Sequence, residues 1–387
     1  MRVLAVLDST AEGGAEISLA TIAPHLKKYG VNLEVAFFYD RQGVNEALLA
    51  AAIPLWHVRP GRTRVVTCLR LFRLIRNIKP DVVHTMIFEA DVIGRTAASL
   101  ARTPVISSII NDMYRPRHRS EPKPTLKYRL ARLADFVTSR FVEQWHAVTK
   151  ETAAAMAPRL KIDPNHIQVI YRARDLATVS QLNDSDRLAI RSDFGLEPAD
   201  FVILAAGRQE PQKGFELLLE AIAEIVSSGR RVHLILAGRE GTSTARVKEL
   251  ITKLGLQEHV STPGHRRDIM KLIFAADIVV MPSFWEGIGG LTIEVAAVGR
   301  MLICSDLPSL REVISAADFE ESAHFVAAGS VSELTQAIER AFDSRRGSPT
   351  LNPSPTAATL FAPEEIARQP ACQYATVASK KWRSRSV

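Results

Sequence analysis

The chain has 387 residues, 47% of them hydrophobic and 24% charged, which suits two ordinary globular cores and is too much for one. No uninterrupted apolar run approaches ~20 residues, which excludes a membrane-spanning helix. Cys68, Cys304 and Cys372 stand far apart, and none of the ten histidines sits at ligand spacing, so reduced core cysteines and no metal site are expected.

The net charge of +7 points to anionic partners: nucleotide sugars, phospholipid head groups or nucleic acid. MRVLAVLDST lacks a small-residue cleavage pattern and reads as a first buried strand over 3–7, not a leader. Strands over 32–38, 55–58, 82–84, 105–109 and 145–148 alternate with helices, notably over 15–28, 67–78 and 91–101. Repeated βα units imply α/β architecture with mostly parallel sheets. The turn over 8–14 is a glycine loop feeding a helix but is not G-x-G-x-x-G, which argues against a dinucleotide-dependent dehydrogenase.

Residues 109–132 are strongly basic: seven cations, from Arg115, Arg117 and Arg119 to Arg132, face the acid Glu121. Pro116, Pro122 and Pro124 break its start, and a basic helix carrying Leu126, Leu130 and Leu133 follows. The segment fits a membrane surface or a lipid-diphosphate acceptor, or is a solvated face. Nucleic acid is disfavoured because no aromatic stacking platform accompanies the charges. Asp184-Ser185-Asp186 spells D-x-D but lies in a polar linker, away from any strand end, and is not read as a metal site.

The second half holds the densest chemistry. A strand over 201–207 is followed by Arg208 and Lys213 before a helix over 216–227. A strand over 277–281 ends at Pro282, and a loop over 283–290 carries Glu286, Gly287, Gly289 and Gly290. A helix from Leu291, with Glu294 in its first turn, stops at Gly299, and a strand over 301–305 follows. The N–H groups at Gly289, Gly290 and Leu291, at the positive end of a helix dipole, favour a diphosphate. Arg208 and Lys213 can neutralise it, Glu294 can accept bonds from ribose hydroxyls, and Glu286 faces the next group along the ligand. Phosphate donors flanked by two carboxylates suit a nucleotide sugar.

EGIGGLTIE resembles the E-x7-E motif of retaining family-4 glycosyltransferases of the GT-B fold, and GRQEPQKG, LILAG, PGHRRDI and SDLPSLREV fall in that family's order. Departures are Ile288 in the usual aromatic place, Val295-Ala296-Ala297 for A-M-A, and no proline over 299–302. The resemblance implies two Rossmann-like domains facing across a cleft: an acceptor-binding domain over 1–178 and a nucleotide-sugar-binding domain over 179–343. A Ser/Pro/Thr-rich linker over 344–360 and a helix over 361–378, interrupted by Pro370 and crossing back to the first domain, would complete it.

The resemblance also places Gly14 near the donor phosphates, the alternative being a tight turn that needs glycine torsions. It puts the stretch from Gly264 through Arg266 beside the nucleobase through backbone groups, and Arg172 within reach of the donor. Asn111 and Asp112 would lie on the acceptor side or cap a loop; His84 would meet substrate or be a satisfied structural histidine.

The implied reaction moves a hexose-type sugar from a nucleoside diphosphate to the hydroxyl of a lipid-linked or saccharide acceptor. Glu286, Arg208 and Lys213 would do the catalytic work, with retention and without metal or other cofactor. The expected setting is cytoplasmic, with peripheral contact to the inner membrane face. The rivals are a nucleotide-sugar 2-epimerase, a glycogen-phosphorylase-like enzyme, for whose pyridoxal lysine no candidate stands out, and a non-catalytic scaffold of the same fold; the scaffold would be expected to lose Arg208, Lys213 or Glu294, and all are present.

Overall fold

The computed structural model describes residues 1–11, 13–41, 43–115, 125–197, 199–344 and 351–383. The chain divides into two compact units, Met1–Arg174 with Phe361–Val387, and Asp175–Leu360.

The first unit runs β1 (Arg2–Ser9), α1 (Gly14–Leu26), β2 (Asn32–Tyr39), α2 (Asn45–Ala50), β3 (Leu55–His57), α3 (Arg64–Ile78), β4 (Val82–Thr85) and α4 (Phe88–Leu100). It continues with β5 (Val105–Ile109), α5 (Leu126–Thr138), β6 (Gln144–Ala147), α6 (Lys150–Leu160) and β7 (Ile167–Val169). Its seven strands are parallel in the order β3-β2-β1-β4-β5-β6-β7. Apolar runs such as Val3 to Leu7, wholly buried, are what a sheet covered on both faces requires. One face packs under α1 and the other under α3 and α4.

The second unit runs α7 (Asp184–Asp193), β8 (Phe201–Ala206), α8 (Phe215–Ser227), β9 (Val232–Ala237), α9 (Thr244–Lys253), β10 (Val260–Gly264), α10 (Ile269–Ala275) and β11 (Ile278–Met281). It goes on to α11 (Gly290–Val298), β12 (Leu302–Ser305), α12 (Pro308–Ala316), β13 (Ala323–Val326), α13 (Val331–Asp343) and α14 (Pro355–Leu360). Its six strands are parallel in the order β10-β9-β8-β11-β12-β13. Each sheet thus reverses its order once, between β1 and β4 and between β8 and β11, and such reversals leave a crevice at the strands' carboxyl ends.

Two expectations need correcting. The helix α15 (Pro363–Arg383) carries Pro370 inside it. Ile366, Ala367, Ala371, Tyr374 and Val377 join the core of the first unit, and that burial holds the helix through a residue that would break an isolated one. Nor is the whole Ser/Pro/Thr-rich tail a bare linker. Asn352 N–H donates to Gly299 O (2.9 Å) and Ser354 N–H to Ala296 O (2.9 Å), so its later part packs on the end of α11. The buried Ser354 hydroxyl then accepts from Ala357 N–H at 2.9 Å, starting α14.

Candidate active site

The loops after β8 and β11 leave the switch point of the second sheet side by side. Gly214, at φ +64°, makes their contact possible: a Cβ there would lie 2.1 Å from the carbonyl oxygen of Pro282. Phe284 N–H donates to Gln212 O (2.8 Å), and the Gln212 amide donates to Trp285 O (2.7 Å), stitching the two loops.

Glu286 is 9% exposed at this seam. Its carboxylate accepts from Lys213 Nζ at 2.5 Å and from Ser283 Oγ at 2.8 Å, while Ser309 Oγ holds its carbonyl at 3.0 Å. A buried carboxylate needs such partners. The Lys213 stem lies over Gly207, where a Cβ would meet Lys213 Cε at 3.2 Å. Arg208 is exposed on the same loop.

Beyond Glu286 the chain turns left-handed at Gly289 (φ +61°) and enters α11 at Gly290. A side chain at Gly289 would also strike Leu310, so both torsion and space demand glycine there. The first N–H groups of a helix lack intrahelical acceptors, which leaves those of Gly290 and Leu291 at the crevice. Glu294 is half-buried and sits one turn into α11, because the helix begins a residue earlier than its sequence suggests. Lys213, Glu286, Arg208 and the start of α11 thus converge at one switch point, with Gln212, Ser283 and Ser309 fastening them. Those three were missed from the sequence; Ser283, three residues before Glu286, gave the only local signal.

In the first unit, Gly14 opens α1, and a Cβ on it would lie 2.4 Å from the guanidinium of the buried Arg172. Neither Gly13 nor Gly14 has a positive φ, so glycine torsions are not what this turn requires. His84 is 1% exposed, with Nδ1 2.7 Å from the Tyr374 hydroxyl and Nε2 2.8 Å from Ser108 Oγ. Both nitrogens are engaged inside the unit, the arrangement of a satisfied structural histidine. Asp112 pairs with Arg159 and accepts from Tyr114 N–H at 3.0 Å, a loop cap.

Asn111 lines a largely apolar cavity of about 220 Å³ with Ile87, Ile110, Met113, Trp145 and Met156. Ile87, a β-branched residue at φ +76°, marks stored strain at the carboxyl end of β4. Beside it the Asp8 carboxylate takes the place of a cap for α4, accepting from Ala90 N–H at 2.5 Å, and burial pushes its pKa up to about 7.

Two family models match in tandem: Glycosyltransferase Family 4 over residues 12–178 and Glycosyl transferases group 1 over residues 186–352. The chain belongs to the family-4 glycosyltransferases of the GT-B fold.

The chain is 31% identical over 175 residues to D-inositol 3-phosphate glycosyltransferase of Rhodococcus erythropolis, a match spanning 42% of the chain and 38% of that protein. It is 27% identical over 243 residues to UDP-Gal:alpha-D-GlcNAc-diphosphoundecaprenol alpha-1,3-galactosyltransferase of Escherichia coli, covering 62% of the chain and 61% of that relative. Both matches span less than two thirds of the relative's length. The Anabaena HepE structure in complex with UDP-glucose superposes with a TM-score of 0.75 at 21% identity, over 100% of this chain and 99% of that one, a likeness of fold.

Two further side chains weighed in the sequence are held by neighbours within the second unit. Arg266 makes a forked pair with Asp268 (2.7 and 2.6 Å) and lies over the Phe194 ring. Asp186 reaches back to cap α7 and pairs with Lys271 at 2.8 Å, which explains the D-x-D spelling as helix capping. No helix among the described residues is long and apolar enough to cross a membrane.

Proposed function

We propose that the chain transfers a hexose-type sugar, with retention at the anomeric carbon, from a nucleoside-diphosphate sugar to an acceptor hydroxyl. The observation that carries this reading is the Lys213–Glu286 pair, seated between the loops of β8 and β11 and followed by the N-terminus of α11. The anomeric carbon–phosphate oxygen bond breaks and a bond to the acceptor oxygen forms on the same face. The acceptor's proton passes to the departing diphosphate. Arg208, Lys213 and the N–H groups of Gly290 and Leu291 meet the charge that grows on that diphosphate, so the work is electrostatic. Glu286 orients the sugar through its hydroxyls, and Glu294 accepts bonds from the ribose.

On this reading Lys213 divides its bonding between the diphosphate and Glu286, so the carboxylate is positioned by the same cation that draws the leaving group. Asn111, at the cavity of the first unit, belongs to the acceptor side, and the acceptor is a lipid-linked or saccharide hydroxyl. No cofactor beyond the donor is required, and chelation of metals should leave turnover unchanged.

The test is thermal stabilisation of the pure chain by UDP, GDP, ADP or dTDP, followed by transfer from the matching donor. One diphosphate should raise the melting temperature and its sugar donor should support turnover. Stabilisation without turnover on any acceptor would leave a binding scaffold, and no stabilisation by any diphosphate would overturn the donor site itself.

A further inference from the structure

The amino end of β11 gathers three guanidiniums around one carboxylate. Arg187 and Arg191 come from α7, and Arg300 follows Gly299 at the end of α11. All three donate to carbonyls at the C-terminal end of α10. Arg187 Nη1 reaches Phe274 O, Ala275 O and Ala276 O at 3.2, 3.1 and 3.3 Å, and Arg191 Nε reaches Ala275 O at 3.1 Å. Arg300 Nη2 donates to Phe274 O at 2.7 Å and its Nε to Ile273 O at 3.4 Å. A helix C-terminus welcomes cations, but its dipole supplies only about half a negative charge.

The carboxylate of the cluster is already committed. Asp277 Oδ1 accepts from Arg187 at 2.9 Å, and Oδ2 accepts from Arg191 at 2.9 Å and from Val202 N–H at 2.6 Å. The later acids of α7 are drawn off by other cations, Asp186 by Lys271 (2.8 Å) and Asp193 by Arg266 (3.6 Å). The stretch 351–360, packed on the end of α11, carries no charged residue.

Arg300 is 2% exposed, and its Nη1 is buried with no hydrogen-bond acceptor among the described residues. Burial first, then Arg187 and Arg191 against the pull of Asp277, press its pKa down to about 9, which leaves it charged at neutral pH. A buried cation without a counter-charge is strongly destabilising, and an unmet buried donor adds to that.

We propose that Arg300 Nη1, backed by Arg187 and Arg191, binds a small inorganic anion of halide chemistry, with chloride as its ordinary occupant. A nucleotide phosphate or an organic acid needs an opening that Arg191 and Arg300, at 1% and 2% exposed, do not provide; a monatomic anion needs the space of one atom. A water would accept the bond and leave the charge unanswered. The anion joins the end of α11 to α7 and α10, so it acts as a stabilising ligand of the second unit. It is independent of the donor site, which lies at the opposite, carboxyl ends of the same strands.

The experiment is urea unfolding of the full chain in sodium gluconate replaced stepwise by sodium chloride at constant ionic strength. The second unit's midpoint should rise with chloride and level off as the site fills. Bromide should replace chloride, and the first unit's midpoint should not follow. Arg300→Met should abolish the rise, whereas Arg73→Gln, at an exposed arginine of α3, should keep it. Crystals of the parent grown in bromide should show an anomalous scatterer beside Arg300 Nη1, a readout that stands even where Arg300→Met fails to fold.

A second-unit midpoint indifferent to the exchange of gluconate for chloride would mean that water meets Nη1, and would overturn the anion site. So would a chloride rise that Arg300→Met retains, since the ions would then act elsewhere on the surface. Bromide crystals with no scatterer at Arg300 would overturn it as well.

Discussion

Each unit buries an arginine–aspartate cluster, and the clusters sit at opposite ends of their sheets. In the second unit Asp277 stands just before β11, at the amino end of the strands. It accepts from Val202 N–H at 2.6 Å and pairs with Arg191 and Arg187, each at 2.9 Å, while Arg191 Nε also donates to Ala275 O. In the first unit Arg95 pairs with Asp135 (2.6 Å) and Asp91 (3.3 Å), donates to Ser107 Oγ (2.8 Å) and lies 4.8 Å over Trp145. That cluster forms part of the wall of the cavity that holds Asn111. Similar chemistry therefore does different work: at the amino ends it closes a framework, and at the carboxyl ends, where α/β sheets bind ligands, it borders open space.

The largest effects should come from breaking each cluster in turn. Arg95→Met removes the arginine partner of buried Asp135 and Asp91, at about 3–5 kcal/mol. Arg191→Met removes one of the two arginines on buried Asp277, at the lower end of that range because Arg187 and the Val202 N–H remain. Urea unfolding with and without the stabilising nucleotide tells them apart. Arg191→Met should move the second unit's transition and take the nucleotide response with it. Arg95→Met should move the first unit's transition and leave that response in place; losing it there would mean the donor site depends on the first unit as well.

A smaller effect separates site from framework within the second unit. Lys213→Ala should weaken nucleotide binding by ~1.5–3 kcal/mol, the range for a hydrogen bond to a charged group, read by titration calorimetry. Ser283 still donates to Glu286, and the Gln212 bond to Trp285 O stays, so the loop has reason to keep its shape. Unchanged affinity would make Lys213 a holder of Glu286 and nothing more.

Much of the fold was legible because its signals are local. Buried parallel strands announce themselves as apolar β-branched runs, and Gly289 and Gly214 sit where torsion or close approach permits no other residue. What escaped depends on partners far along the chain. His84 is satisfied by Tyr374, 290 residues away, and no pattern around DVVH could show that. Gly14 lies against the guanidinium of Arg172, a neighbour that its own turn does not announce. The apolar stripe of α5 was visible in the sequence, but its outward direction is set by the bond between Asp135 and Arg95, 40 residues apart. Of the basic segment before it, Arg117, Arg119 and Lys123 lie outside the described residues.

The smallest effect comes from two groups of titrating residues in the first unit that oppose each other. Burial lowers the pKa of His84 well below 6.5 and that of His146 to about 4, so the unfolded chain binds protons that the folded one refuses. Their contribution is present above pH 6.5 and fades as the pH falls toward about 4. Burial raises Asp8 from 3.8 to about 7 and, against the pull of Arg95, Asp91 to about 6. Here the folded state holds the extra proton, so their contribution is lost as the pH rises and recovered on acidification. Between pH 6.5 and about 4 the two groups offset one another, and the parent should show a shallow stability profile. Asp8→Asn keeps an oxygen for the Ala90 N–H and removes one proton from the balance. The variant should then lose up to ~1.4 kcal/mol more than the parent per pH unit of acidification in that window, read from urea midpoints. Parallel profiles would mean that Asp8 is already ionised in the folded chain, with the N-terminus of α4 outweighing its burial.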